Sequence, residues 1–111
     1  MDNKAAWILD QTHQQAENEL DLTGMLDGRY QRVIVDRTFI DEHGVRWIID
    51  YKTSAHGGGD TQQFLDQEQE RYREQLDRYA QLMQQMDLHP IRLGLYFPLL
   101  KGWREWTYLV P

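Results

Sequence analysis

Two β-strands and the turn between them are readable in residues 29–53, RYQRVIVDRTFIDEHGVRWIIDYKT. β-branched and aromatic residues are frequent in both halves, which is typical of strands. We predict one strand from Arg29 to Ile40 and a second from Val45 to Thr53. Between them, Glu42-His43-Gly44 forms a three-residue hairpin loop, in which Gly44 supplies the positive φ that such a turn requires.

The length of this loop sets the cross-strand register. With three loop residues, strand residues whose numbers sum to 86 face each other, so Asp36 lies opposite Asp50. Lys52 shares the face of Asp50 because side chains alternate along a strand. The sequence therefore predicts two carboxylates and an ammonium group in one place. A two-residue loop would instead place Asp36 opposite Tyr51 and separate these groups.

One long helix follows the hairpin. Asp60 is a good N-cap residue, and Gln63 follows it by three residues, which is the spacing of a capping box. Pro90 ends the helical pattern. An apolar stripe recurs at helical intervals between these points and consists of Leu65, Tyr72, Leu76, Tyr79, Met83 and Met86. This stripe predicts a helix that packs on one side of a sheet.

Shorter patterns complete the predicted fold. Alternating apolar residues indicate strands at residues 18–23, 91–97 and 103–110, with the last strand at the edge of the sheet. Residues 1–16 are compatible with a short helix, and residues 54–59 form a glycine-rich loop. We predict an α/β fold with a mixed sheet of about five strands and one long helix. A short N-terminal helix is compatible with this fold.

Composition narrows the classes of function. A chain of 111 residues forms one domain, and the absence of cysteine excludes disulfides, thiolate zinc sites and iron–sulfur clusters. The glycine-rich loop lacks the Lys-Ser/Thr of a P-loop, so we expect no ATPase. Without a long apolar run or a signal peptide, a cytoplasmic protein with no membrane partner is expected. The net charge of −6 argues against a DNA-coating protein, so contact with DNA must be local, metal-assisted or supplied by further polypeptide.

Both aspartates interrupt apolar strands, since Asp36 follows Val33-Ile34-Val35 and Asp50 follows Trp47-Ile48-Ile49. Adjacent carboxylates near a core repel, which raises one pKa unless a cation neutralises them. Lys52 does this in part, and a divalent ion such as Mg²⁺, which one or two carboxylates typically hold in proteins, does it better. The alternative is an Asp–Lys salt bridge at a strand end with no further function.

The same residues resemble the motifs of a known nuclease superfamily. Val35-Asp36-Arg37 followed by Asp50-Tyr51-Lys52-Thr53 is similar to the RecB-type branch of the PD-(D/E)XK nucleases, which combines a lone aspartate with a "DYKT" box. The segment Gln75-Leu76-Asp77-Arg78-Tyr79 resembles the QxxxY motif of that branch. The resemblance extends from about Glu17 to Tyr96 and is nearest to the C-terminal nuclease domain of UvrD/Rep-like helicases of the AddA and RecB types. It implies a restriction-endonuclease-like fold.

The resemblance implies roles for the central residues. Asp36 and Asp50 would hold one or two Mg²⁺ or Mn²⁺ ions, helped by the backbone carbonyl of Tyr51. Lys52 would orient the attacking water or help to deprotonate it, so that Asp36, Asp50 and Lys52 form the catalytic set. The lack of cysteine excludes the AddB-like members, which carry an iron–sulfur cluster.

The family also uses metal ligands that precede the hairpin. Glu19 is the expected acidic ligand because it lies off the Leu20/Leu22 face, and Glu17 is an alternative of the same parity. His13 is the candidate for a histidine ligand ahead of the first strand.

Three residues are expected to position DNA. Gln75 and Tyr79 share one helix face and, by the resemblance, would position the strand or support the metal site. Arg37 is a candidate phosphate contact because it adjoins Asp36, although its side chain should leave the opposite face of the strand.

Three readings of the whole chain follow. The first is a metal-dependent DNA nuclease domain for recombination or repair, an exonuclease or endonuclease acting on single-stranded DNA, at the C-terminus of a larger helicase polypeptide or beside a helicase partner subunit. The second is a non-catalytic module with the nuclease fold, which docks helicase domains or guides a DNA strand. The third is an isolated domain that forms a homodimer through the face that missing helices would cover.

Overall fold

A computed structural model describes residues 2–54 and 58–110. Its elements, in chain order, are α1 (Asn3–Leu9), β1 (Gln14–Leu26), β2 (Arg29–Ile40), β3 (Arg46–Tyr51), α2 (Thr61–Gln84), β4 (Ile91–Phe97), a 3₁₀ turn (Pro98–Leu100) and β5 (Gly102–Thr107). The five strands form a single sheet. The predicted α/β class, with one long helix and a short N-terminal helix, is therefore confirmed. The middle of the predicted loop at residues 54–59 lies outside the described residues.

Strand order in the sheet follows chain order, β1-β2-β3-β4-β5. β3 and β4 are parallel and are connected through α2, whereas the other neighbouring strands are antiparallel. The β2–β3 ladder pairs Arg37 with Ile49 and Ile40 with Arg46, which is the predicted register. It is fixed by the predicted turn, where Gly44 has a φ of 76° and donates to the Asp41 carbonyl over 3.1 Å.

Some element boundaries differ from the prediction. β1 extends well beyond residues 18–23 because it pairs along the whole of β2. Gln15 and Glu19 have positive φ values of 48° and 52°, and these irregularities break the apolar alternation that would have revealed the longer strand. The helix ends at Gln84, so Met86, which the apolar stripe placed in the core, is 70% exposed.

Each face of the sheet carries one helix. The capping side chain of Asp60 accepts from the amides of Gln62 and Gln63 and starts α2, as predicted. The core beneath α2 contains Val35, Ile48, Leu65, Leu76, Leu93, Leu95 and Phe97. A smaller core beneath α1 contains Ile8, Phe39, Trp47, Ile49 and Tyr96.

The helices of residues 2–54 and 58–110 include none that is long and apolar enough to span a membrane.

Candidate metal site at the end of strand β3

The regular β2–β3 pairing stops one position before Asp36 and Asp50. Its last regular pair is Arg37 with Ile49. Beyond that pair, the amide of Tyr51 donates to Asp36 Oδ2 over 2.8 Å. A side-chain carboxylate thus takes the position of a backbone acceptor, which places Asp36 between the two strands where they separate.

Asp50 is the buried member of the pair. Its residue surface is 7% exposed, and Lys52 Nζ lies 2.8 Å from Asp50 Oδ2. This is an ion-pair distance, so the ammonium of Lys52 is the partner of that buried oxygen.

The electrostatics of Asp50 are unfavourable in the metal-free protein. Burial raises the pKa of its carboxyl above the ordinary value of 3.8, Lys52 opposes that shift, and the neighbouring charge of Asp36 raises the pKa further. The predicted meeting of Asp36, Asp50 and Lys52 therefore takes place, and their net balance disfavours the ionised form of Asp50. A cation bound to the two carboxylates would reverse that balance.

Helix α2 contributes an aromatic ring and an amide to this side of the sheet. Lys52 Nζ lies 3.6 Å from the centre of the Tyr72 ring. Three residues further along the helix, Gln75 Nε2 donates to the Tyr79 hydroxyl over 2.7 Å. Gln75 and Tyr79 thus share a face, as predicted, and that face continues from the ring beside Lys52.

Two residues of α2 were not among the predicted site residues. Tyr72 was predicted as part of the apolar stripe, and it does pack against the core. No role was predicted for Glu68. Glu68 is 6% exposed, and its Oε2 lies 3.6 Å from Arg71 Nη1. The signal was the spacing, since Glu68 interrupts the stripe between Leu65 and Tyr72 where an apolar residue would continue it.

The upstream acidic candidates lie on β1. The residue pairs on either side of Glu19 continue one register, which places Glu19 across from Asp36, and Glu17 pairs with Thr38. Both glutamates are exposed. Within residues 2–54 and 58–110, no three His, Asp or Glu side chains are grouped closely enough to hold a metal ion. The ligand role of Glu19 or Glu17 stays a prediction.

His13 and Arg37 lie on the other face of the sheet. The Nε2 atom of His13 is 2.7 Å from the Trp7 carbonyl, and its ring stacks on Phe39 at 3.9 Å. Arg37 is 5% exposed and donates to the carbonyls of Ile8 and Asp10. The structure therefore does not bring His13 to the carboxylates, and it occupies Arg37 in holding the end of α1.

The donors at the end of β3 suit a hard divalent ion. Asp36 and Asp50 supply carboxylate oxygens, and water or phosphate oxygens can complete the coordination of Mg²⁺ or Mn²⁺. The closeness of the two carboxylates and the raised pKa of Asp50 are the observations that fit such an ion.

Comparisons with known proteins address the fold but not the chemistry. No protein-family model matches the chain, and no curated protein matches it. The crystal structure of a protein called SSO0001 is similar, with a TM-score of 0.54 and 18% identity. The match covers 97% of this chain and 48% of SSO0001, so the chain spans about half the length of that protein. At this identity the similarity shows a shared fold and nothing more.

Proposed function

We propose that this chain is a metal-dependent DNA nuclease domain that hydrolyses phosphodiester bonds. The observation that carries the proposal is a buried carboxylate, Asp50, which has Lys52 at 2.8 Å and a second carboxylate, Asp36, beside it. The similarity of these residues and of Gln75 and Tyr79 to RecB-type nuclease motifs supports the same conclusion.

Each group has a defined part in this reaction. Asp36 and Asp50 would hold Mg²⁺ or Mn²⁺, with Glu19 or Glu17 as a further ligand. A bound divalent ion lowers the pKa of water and neutralises charge on a phosphate. Lys52 lies beside the two carboxylates, where its ammonium could orient water and stabilise negative charge that develops on phosphate oxygens. Gln75 and Tyr79 would position the DNA strand through their hydrogen-bonded amide and hydroxyl groups.

The test is cleavage of single-stranded DNA with Mg²⁺ or Mn²⁺. We expect Asp50→Ala and Lys52→Ala each to lower the rate by about 10²-fold or more. Asp21→Asn is the matched control, because Asp21 is an exposed strand aspartate that pairs with Arg32. Equal rates for the parent chain and both site variants would refute the proposal.

A second candidate function is a non-catalytic module that keeps the nuclease fold and guides a DNA strand or docks helicase domains. The location of His13 on the opposite face of the sheet favours this second function, because one expected metal ligand is then absent from the site of Asp36 and Asp50. Calorimetric titration with Mn²⁺ separates the two functions. Binding that Asp36→Ala abolishes supports the nuclease, and no binding at millimolar Mn²⁺ supports the guiding module.

The proposed context is a helicase-nuclease of recombination or repair. A net charge of −6 gives this chain little general affinity for DNA, so helicase domains, in the same polypeptide or in a partner subunit, would supply it. Addition of a UvrD/Rep-like helicase should then increase cleavage. Sedimentation at several concentrations would show whether the isolated chain forms a homodimer.

A further inference from the structure

The ammonium group of Lys52 has two attractive neighbours. One is Asp50 Oδ2 at 2.8 Å, and the other is the Tyr72 ring, whose centre is 3.6 Å from Nζ. A cation within about 6 Å of a ring centre is attracted to the ring face. The Lys52 side chain is 17% exposed, so this attraction is only partly weakened by water.

These two neighbours respond differently to a divalent ion. An ion on Asp36 and Asp50 takes up the charge of Asp50 and repels the ammonium of Lys52. A second carboxylate beside Lys52 would itself bind the ion. The face of an aromatic ring attracts Lys52 without offering the ion a ligand, because it has no lone pair there.

We infer that Tyr72 is a positioning residue. Its ring holds the ammonium of Lys52 in the site once a divalent ion occupies Asp36 and Asp50. This inference rests on the metal-binding part of the proposed function. Without Tyr72, metal binding would have to break the Lys52–Asp50 pair with nothing to receive the ammonium. Metal affinity should then fall.

The ring is well placed for this role. Tyr72 lies in the 24-residue helix α2, between Leu65 and Leu76, which are 1% and 0% exposed. A ring on a helix anchored on both sides keeps its position when Lys52 moves. Arg71 also approaches the ring, at 5.3 Å, but its side chain is 69% exposed and does not depend on that contact.

The first test measures Mn²⁺ binding by calorimetry. Tyr72→Phe keeps the ring and should bind within twofold of the parent chain, whereas Tyr72→Leu should bind about tenfold more weakly. Tyr30→Leu is the matched control, because Tyr30 is 79% exposed at the end of β2. Arg71→Ala should also leave the affinity unchanged.

A shape-preserving series protects the test from misfolding. Fluorinated phenylalanines at position 72 keep the ring while they weaken its negative face, so Mn²⁺ affinity should fall stepwise with each added fluorine. In the metal-free protein and again with Mg²⁺, the ε-methylene protons of Lys52 should show an upfield ring-current shift that Tyr72→Leu removes.

The outcomes separate the two proposals. If the parent chain binds Mn²⁺, and Tyr72→Leu or the fluorinated variants bind it equally well, the positioning role of Tyr72 is wrong. The metal site itself would then still be supported. If the ring-current shift disappears on adding Mg²⁺, Lys52 leaves the ring and the inference is also wrong. If the parent chain binds neither ion, the metal-binding part of the proposed function fails, and the inference fails with it.

Discussion

Asp50 is the residue on which the proposed chemistry depends, and its burial is costly to the fold. It is 7% exposed, and burial together with the charge of Asp36 raises its pKa despite the ion pair with Lys52. A group whose folded pKa lies above its unfolded value of 3.8 lowers stability as the pH rises through that interval. The cost is fully present once the pH exceeds the folded pKa.

Replacing Asp50 with asparagine should therefore stabilise the metal-free protein. We expect Asp50→Asn to raise the free energy of unfolding at pH 7 by about 1 kcal/mol, because it removes a buried charge that Asp36 repels. Urea denaturation measures this change. The same variant should lose the stabilisation that Mn²⁺ gives the parent chain. A variant less stable than the parent at pH 7 would show that the Lys52 pair outweighs burial.

At the scale of elements, α1 is held on the sheet by close aromatic packing over β4. Gly94 lies in β4 beneath the Trp103 indole of β5, and a Cβ at position 94 would overlap that ring. Trp103 has Trp7 of α1 at 6.0 Å and Trp47 of β3 at 5.9 Å between ring centres. The indole therefore has little room to move, and Gly94 is required by close approach and not by backbone conformation.

Gly94→Ala should destabilise the protein by about 2 kcal/mol, because the added methyl group overpacks a rigid aromatic cluster. Chemical denaturation of a double-mutant cycle isolates the cause. In a Trp103→Leu background the same alanine substitution should cost much less. An equal loss in both backgrounds would mean that Trp103 is not the obstacle.

At the scale of the whole molecule, β3 has a different ion pair at each end. At its start, Arg46 Nε donates to Asp87 Oδ2 over 2.7 Å, with side chains 6% and 8% exposed. Arg46 also donates to Thr38 and Gln15, so that pair is well satisfied. This pair joins β3 to the segment after α2, and its two residues are 41 positions apart in the sequence. At the other end, Asp50 pairs with Lys52 and has a second carboxylate, Asp36, as a like-charged neighbour. The first pair supports the fold, and the second belongs to the proposed metal site.

Acid should act mainly through the structural pair. Burial opposes ionisation of Asp87, but hydrogen bonds from His89 and Arg46 lower its pKa from 3.8 to about 2. Its stabilisation is fully present above pH 4 and is lost as the pH falls from about 4 to about 2. After allowance for screening by solvent, the loss is about 1 kcal/mol.

The check is the free energy of unfolding as a function of pH, measured for Asp87→Asn and the parent chain. The variant should be less stable at pH 6 by about 2 kcal/mol, since Arg46 stays buried without its charged partner. Its stability should also vary less between pH 4 and 2. If the stability of the variant falls between pH 4 and 2 as much as that of the parent chain, other carboxylates cause the loss of stability in acid.

The local sequence determined the hairpin and, through it, the pairing of the carboxylates. Loop length and side-chain alternation are short-range properties, so they predicted that Asp36 would face Asp50 and that Lys52 would join them. The long helix and its Asp60 cap were also readable, because capping and helical periodicity act within a few residues.

Only the tertiary structure decided which side chains surround that pair. Burial depends on what packs against each face, which no local pattern contains. Arg37 is therefore used to hold α1, His13 lies against Phe39, and Glu68 is buried although its neighbours along the chain are polar. Tyr72 packs against the core, as its place in the apolar stripe predicts, and the crossing of α2 over β3 also places its ring against Lys52.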